Sequence, residues 1–283
     1  MNSNNQVTIS NDVIMELENI YFSYDGVNNV LKNVSFSILA NEYLCIVGSN
    51  GSGKSTVSKI ITGLIKPSSG TLRLFGETID HKNVKRLRDN IGIIFQNPDN
   101  QFIGFTAEDD IAFGLENRKY PRHAIQYTID VVAQQIGIVD LLKIESHKMS
   151  GGQKQLVAIA SVIAIKPRII IFDESTSMLD PISKERVKKL MVALRNSGCS
   201  VVSITHDMEE IVNADRVIVF HRGELTKVGT PEDVFNNDAF LKKMRLTFPI
   251  AQQFKMLMQD KCPNLSASLD IKKIVKEICQ KIS

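Results

Sequence analysis

No stretch of this 283-residue chain approaches the roughly 18 uninterrupted apolar residues that a membrane span requires. The longest apolar runs, near Leu156 to Ile165 and Ile169 to Phe172, are the size of core elements. Cysteine is scarce. Cys45, Cys199, Cys262 and Cys279 are scattered, no pair has zinc-ligand spacing, and a disulfide framework is excluded. Cys45 and Cys199 fall in apolar strand candidates and read as inert core residues. Excess charge is lacking too: the net charge of +3 gives no argument for nucleic acid. The N-terminal segment lacks the basic and apolar regions of a signal peptide; residues 1–12, polar and rich in Asn and Ser, predict a flexible tail on a cytosolic chain. With 43% hydrophobic residues, what remains is long enough to bury a core in one large domain or two smaller ones.

What the chain does have is Gly48-Ser49-Asn50-Gly51-Ser52-Gly53-Lys54-Ser55-Thr56, the phosphate-loop pattern of Gly, four residues, Gly, Lys, Ser. Glycines let backbone N–H groups curl around phosphate oxygens, which side chains would obstruct. The helix that follows adds positive potential at its N-terminus. Lys54 then reaches the β- and γ-phosphates, and the Ser55 hydroxyl ligates Mg²⁺. The flanks agree: Tyr43 to Val47 is an apolar strand candidate, and Lys54 to Leu64 has helical spacing.

Strands are expected at Val13 to Leu17, Val34 to Leu39, Tyr43 to Val47, Ser69 to Phe75 and Ile91 to Phe95. From about Asp109 to Ile165 the pattern is helical, broken at Pro121 and near Ser146. After Pro167, strands at Ile169 to Phe172, Ser200 to Ile204 and Arg216 to Phe220 alternate with helices at Ser183 to Arg195 and Met208 to Asn213. Such alternation implies a mostly parallel sheet with the helical middle as an inserted subdomain. Thr230-Pro231-Glu232-Asp233 reads as a capped helix start. Beyond Thr247 a helix starting near Asp270 carries an apolar stripe of Ile271, Ile274, Val275, Ile278 and Ile282. That stripe packs either on the chain's own body or on another subunit.

A second charged locus ends the apolar strand Ile169 to Phe172. In a parallel sheet, ligands sit beyond the carboxyl ends of the strands. Asp173 is therefore placed to hold Mg²⁺, and Glu174 to orient or deprotonate an attacking water. Ser150-Gly151-Gly152-Gln153 precedes a helix expected at Lys154 to Ile165 and offers a hydroxyl and bare N–H groups to an anion. An ordinary cap would explain Ser150 but would not need Gly-Gly-Gln.

Phosphate loop, Gln96, Ser150 to Gln153, Asp173-Glu174, Ser177-Met178-Leu179-Asp180 and His206, in that order, resemble the ATP-binding cassette ATPases over about Val13 to Met244. The resemblance implies an α/β fold: a P-loop NTPase core with a mostly parallel sheet, an N-terminal antiparallel β part, an inserted helical subdomain at about 97–166, and a small C-terminal helical extension at 246–283 beyond the 13–245 cassette. It implies ATP and Mg²⁺ as cofactors. It also implies a head-to-tail pair in which each ATP lies between one chain's phosphate loop and the other's Ser150–Gln153 segment. Asp180 would lie at the dimer seam, His206 would contact the γ-phosphate, Gln96 would sense Mg²⁺ and the attacking water, and Tyr24 would stack on adenine.

The stretch Phe95-Gln96-Asn97-Pro98-Asp99-Asn100-Gln101-Phe102, with Glu108 to Asn117, looks like the energy-coupling factor transporters, and more narrowly the first of their two paired ATPase subunits. This implies a chain peripheral to the cytoplasmic face of the membrane. Its implied partners are a second cassette subunit, a transmembrane coupling subunit and a substrate-capturing membrane subunit, with no nucleic acid. Glu108, Asp109 and Asp110 would receive arginines of the coupling subunit, although Thr106 to Asp109 is also a capping box. Asn41, Leu156 and Ser175 depart from the family pattern, the last two expected near the inter-subunit seam. Two other readings stay open: a dedicated cobalt or nickel importer ATPase acting as a homodimer, and a soluble cassette acting on ribosomes or DNA.

Overall fold

A computed structural model describes residues 12–244, 246, 248–258, 262, 265, 266, 268, 269 and 271–282. The expected tail, except Asp12, lies outside the described residues, as do Thr247, Asp270 and the side chain of Ile282. The chain runs β1 (Val13–Ser23), β2 (Asn29–Leu39), β3 (Tyr43–Gly48), α1 (Lys54–Ile61), β4 (Ser69–Leu74), β5 (Glu77–Thr78), α2 (Lys85–Asn90) and β6 (Ile91–Ile94). The helices α3 (Ala107–Asn117), α4 (Arg122–Ile136) and α5 (Gly151–Ala164) follow. Alternation then resumes with β7 (Ile169–Asp173), α6 (Pro181–Asn196), β8 (Ser200–Ile204), α7 (Met208–Val212), β9 (Arg216–His221) and β10 (Glu224–Gly229). Four helices end the described chain: α8 (Pro231–Phe235), α9 (Asp238–Met244), α10 (Ile250–Met258) and α11 (Ile271–Ile282).

Two sheets result. An antiparallel sheet has the order β2-β1-β4-β5, and a second sheet has the order β10-β9-β3-β8-β7-β6. In the second, β6 through β9 run parallel with β3, and only β10 is antiparallel. The apolar runs of β3 and β7 follow from burial on both faces, and β8 is buried along its whole length although Ser200 and Ser203 interrupt its apolar residues. Tyr43, Cys45, Val47, Ile170 and Phe172 point into a core shared with α3, α5 and α6. Their neighbours Leu44, Ile46, Ile169 and Ile171 point into a core shared with the antiparallel sheet and α1. Each fully buried Phe, Leu or Ile contributes about 1.5–3 kcal/mol.

Local expectations differ from the structure in instructive places. α5 begins at Gly151, three residues before the expected Lys154, because Ser150 and Gln153 close a capping box that starts the helix there. The sequence reading did not resolve β5, α2 and β10: two are short, and β10 alternates weakly on a half-exposed edge. In α11, Ile274 and Ile278 bury against Ala251 and Cys262, so most of the stripe packs on the chain itself, while Val275 remains largely exposed. The side chains of Leu156 and Ser175 are buried within the chain. Asn41 takes φ +58 and its N–H donates to Ser200 Oγ at 3.0 Å, a turn that Asn tolerates in place of Gly. Cys199 sits just before β8, and burial pushes its thiol up to about 12. All four cysteines are thiols.

Candidate nucleotide site

The carboxyl end of β3 delivers the chain into the loop from Gly48 to Gly53, and α1 carries it away. Gly48 has φ +154, and a Cβ there would stand 2.2 Å from the Phe220 carbonyl oxygen and 2.8 Å from Ser52 Oγ. Only glycine lets the loop pass so close to β9. The loop is tied down from below, where Gly223 N–H donates to the Ser52 carbonyl at 3.0 Å. Ser52 Oγ is buried and has no protein partner. Lys54, 4% exposed, donates to the carbonyls of Gly48 at 2.8 Å and Ser49 at 3.1 Å. Burial lowers its ammonium below the ordinary lysine range, and the Glu174 and Asp173 carboxylates oppose that. A desolvated ammonium and an orphaned hydroxyl in one glycine loop suit an incoming polyanion. Ser49 is half-buried, Asn50, Gly51 and Ser55 are exposed, and Gly53 and Thr56 are buried. Tyr24 is 61% exposed, with its OH 3.4 Å from Thr56 Oγ1 and its ring edge-on to Phe22 at 4.8 Å.

The end of β7 brings the acids. Burial raises the Asp173 carboxyl above the usual range, the Glu174 charge adds to this, and Lys54 opposes it. Ser55 and Asp173 are oxygen donors of the kind a hard cation takes, and a cation beside Asp173 would offset its desolvation, so these residues fit Mg²⁺. Glu174 holds φ +50, a strained conformation for a residue with a side chain, and its N–H donates to the Ile204 carbonyl at 2.8 Å. Its Oε1 stands 3.2 Å from His206 Nε2. Burial lowers the His206 imidazole, the Lys54 charge adds to this, and Glu174 opposes both. A cleft of about 270 Å³ opens beside them, lined by Glu174, Ser177, Lys184 and His206 among others.

Gln96, exposed after β6, donates from Nε2 to Ser177 Oγ at 3.2 Å, and Ser177 Oγ donates to the Glu174 carbonyl at 2.7 Å. Ser177 thus joins two groups the sequence picked out separately. The sequence marked Ser177 only as the first residue of the stretch leading to Asp180, and serine is common in turns, so nothing local gave it this bridging place. Lys54, Asp173, Glu174 and His206 interact directly or through their charges, and Gln96 joins them through Ser177.

The Ser150–Gln153 segment is accounted for differently than its composition suggested. Gln153 Oε1 accepts from Ser150 N–H at 2.8 Å and Ser150 Oγ accepts from Gln153 N–H at 3.3 Å, so the glutamine does serve an ordinary cap. A Cβ on Gly152 would meet Ser183 Oγ at 2.7 Å, so that glycine admits α6. Gly151 faces open space, and Ser150 is exposed. Asp180 is exposed and caps α6, accepting from Ile182 and Ser183 N–H at 3.0 Å each. The bonds to Ser183 and Ile182 hold its carboxyl below the usual range.

The three acids of α3 separate. Asp110 is 5% exposed; its Oδ1 accepts from Ile103 N–H at 2.9 Å and Gly104 N–H at 3.3 Å, and its Oδ2 from Ser161 Oγ at 2.8 Å. That removes Asp110 from any docking surface, because both oxygens are spent inside the fold. Asp109 closes the Thr106 capping box, and Glu108 pairs with the exposed Lys143. Beside them Ile103 and Phe105 are exposed, Phe105 by 85%.

The ABC transporter family profile matches residues 31–177. The chain is 55% identical over 269 residues to the energy-coupling factor transporter ATP-binding protein EcfA1 of Mycoplasmoides gallisepticum, a match spanning 95% of this chain and 96% of that one. It is 44% identical over 251 residues to EcfA1 of Enterococcus faecalis, spanning 88% and 90% of the two chains. Among solved structures, cbiO1 from Clostridium perfringens, part of the ABC transporter complex cbiONQ, aligns with a TM-score of 0.76 at 34% identity, over 88% of this chain and 99% of that one. No helix among the described residues is long and apolar enough to cross a membrane. A phosphate loop with a desolvated lysine, a paired Glu174 and His206, and these relatives lead to one assignment: the chain belongs to the ABC transporter family, as an ATP-hydrolysing, ATP-binding subunit of the energy-coupling factor type.

Proposed function

We propose that this chain is one half of a paired cassette ATPase that powers an energy-coupling factor importer of vitamins or divalent metal ions from the cytoplasmic face of the membrane. The phosphate-loop N–H groups and Lys54 hold the phosphates, and Tyr24 underlies the adenine. Ser55, Asp173 and Gln96 would hold Mg²⁺, which neutralises charge on the β- and γ-phosphates when bound. Glu174 takes the proton of the attacking water, and His206 steadies both the Glu174 carboxylate and the γ-phosphate. Ser150, Gly151, Gly152 and Gln153 of one cassette close over the ATP of the other, with Asp180 at the seam.

Closure moves the transmembrane coupling subunit, docked where Ile103 and Phe105 stand exposed beside Glu108. An arginine there would compete with Lys143 for the Glu108 carboxylate. A separate membrane subunit selects the cargo. In this reading the cassette body is 13–245, its helical part 97–166, and 246–283 helps the two cassettes pair.

The observation that carries the reading is the 3.2 Å contact between His206 Nε2 and Glu174 Oε1 beside the charges of Lys54 and Asp173. Glu174→Gln is expected to bind ATP normally and to slow single-turnover hydrolysis by about 10²- to 10⁴-fold. An unchanged single-turnover rate would remove Glu174 from the role of base.

A further inference from the structure

Below the site lies a carboxylate that the chemistry above does not use. Glu210, on the short helix α7, is 1% exposed. Both of its oxygens are bonded: Thr176 Oγ1 donates to Oε1, and Ser203 Oγ donates to Oε2 at 2.6 Å. Thr176 lies two residues after Glu174, and Ser203 three residues before His206. Burial raises the Glu210 carboxyl above the usual range, opposed by the Ser203 and Thr176 hydroxyls.

Burying a carboxylate is costly unless its oxygens are matched. An apolar side chain on α7 would pack the same space without that cost. What the carboxylate does that an apolar group could not is reach two strand ends at once. The segment leaving β7 carries Glu174 in a left-handed conformation that its neighbours must hold. The segment leaving β8 carries His206 and turns through the bond from Asp207 N–H to Thr205 Oγ1 at 2.9 Å. The β7–β8 ladder itself pairs Phe172 with Ser203 and Asp173 with Ile204, and just past it the Glu174 N–H donates to the Ile204 carbonyl; Glu210 adds a side-chain tie that reaches Thr176, beyond the end of that ladder.

We propose that Glu210 is a positioning residue for ATP cleavage: its carboxylate clamps the segment bearing Glu174 to the segment bearing His206 and so sets their contact. The proposal rests on the reading of Glu174 as the base. Since Glu210 is buried with both oxygens held by Thr176 and Ser203, loosening the clamp spares binding and impairs the step in which Glu174 and His206 must act together. Thr176 belongs to the same device, because its hydroxyl is one of the clamp's two ends.

The test uses the full chain assembled with its cassette partner, with ATP affinity, KM, kcat and single-turnover rate measured for each variant. Glu210→Gln and Thr176→Val are each expected to lower kcat by about tenfold to a hundredfold, the cost of misplacing a catalytic group. Their KM and ATP affinity should stay within about twofold, and Thr176→Ser, which keeps the hydroxyl, should recover most of kcat. In a Glu174→Gln background, adding Glu210→Gln should slow the single turnover by less than about twofold, because the clamp acts through the missing base.

Wild-type kcat in folded Glu210→Gln and Thr176→Val would overturn the clamp. So would a loss that multiplies in full on top of Glu174→Gln, or a folded Thr176→Ser with no recovery. If Glu210→Gln does not fold, the two threonine variants decide the matter. If Glu174→Gln alone keeps its single-turnover rate, the base assignment fails and takes the clamp with it, a failure visible in that variant and in no other.

Discussion

Gly48 shows how one residue sets the geometry of the whole loop. With the Phe220 carbonyl 2.2 Å from where a Cβ would lie, the loop can stay against β9 only if the position has no side chain. Gly48→Ala must move backbone, not a flexible side-chain tip. It is expected to cost at least about 2 kcal/mol of stability and to abolish measurable binding of a fluorescent ATP analogue. A variant that melts and binds like the parent would show that the loop has slack the distances deny. Lys54 displays the complementary economy. Its ammonium is desolvated and rests on two carbonyls, so phosphate oxygens would replace weak partners with strong ones. Glu174 is the other residue whose meaning is conformational: its φ of +50 is a local cost that the surrounding bonds sustain.

Among the elements, the helix starts carry most of the polar organisation. α3, α5 and α8 each begin with a reciprocal capping box, and α6 begins on the Asp180 cap. In α3 the acids that look alike in sequence divide their tasks by helical angle. Asp109 caps, Glu108 reaches an exposed lysine, and Asp110 points inward to hold the loop ahead of the helix and Ser161 on α5. Asp110→Ala leaves the Ile103 and Gly104 N–H groups and the Ser161 hydroxyl without their acceptor and is expected to destabilise the chain by about 2–3 kcal/mol in urea unfolding. A fully stable Asp110→Ala that fails only to bind its membrane partner would return Asp110 to the docking surface. Gly152 belongs to this scale as well, since α5 and α6 approach through the space its missing Cβ leaves.

For the whole molecule, the phosphate loop and the acids sit at the carboxyl ends of β3 and β7, whereas Ser150 and Gly151 start a helix of the inserted layer and meet solvent. The Ser150 hydroxyl is engaged with Gln153 of its own cap, not with the phosphate loop. If a second cassette must bring its own segment to each ATP, the dilute isolated chain should hydrolyse ATP about 10²-fold more slowly than the assembled pair, the scale of losing one side of an anion's donors. ATPase rate measured against concentration, with mass determined by light scattering, checks this. Full activity in a sample shown to be monomeric would end the shared-site reading. The C-terminal helices form their own small core of Ala251, Cys262, Ile274 and Ile278, while Leu246 and Leu269 join the main one.

The sequence by itself determined whatever depends on neighbours a few residues away. The phosphate loop, the strand ending in Asp173 and Glu174, the Thr106 and Thr230 capping boxes and the unbroken apolar strands are local patterns, and each stands where it was read. Only the tertiary structure decided which polar groups meet. Asp110 on Ser161, Ser177 between Gln96 and Glu174, Glu210 between Thr176 and Ser203, and Gly152 against Ser183 each join residues from different elements. A side chain's period along a helix or strand tells whether it points inward. What it finds there is set by the order in which β6, β7, β8 and β3 lie side by side, and no local pattern encodes that order.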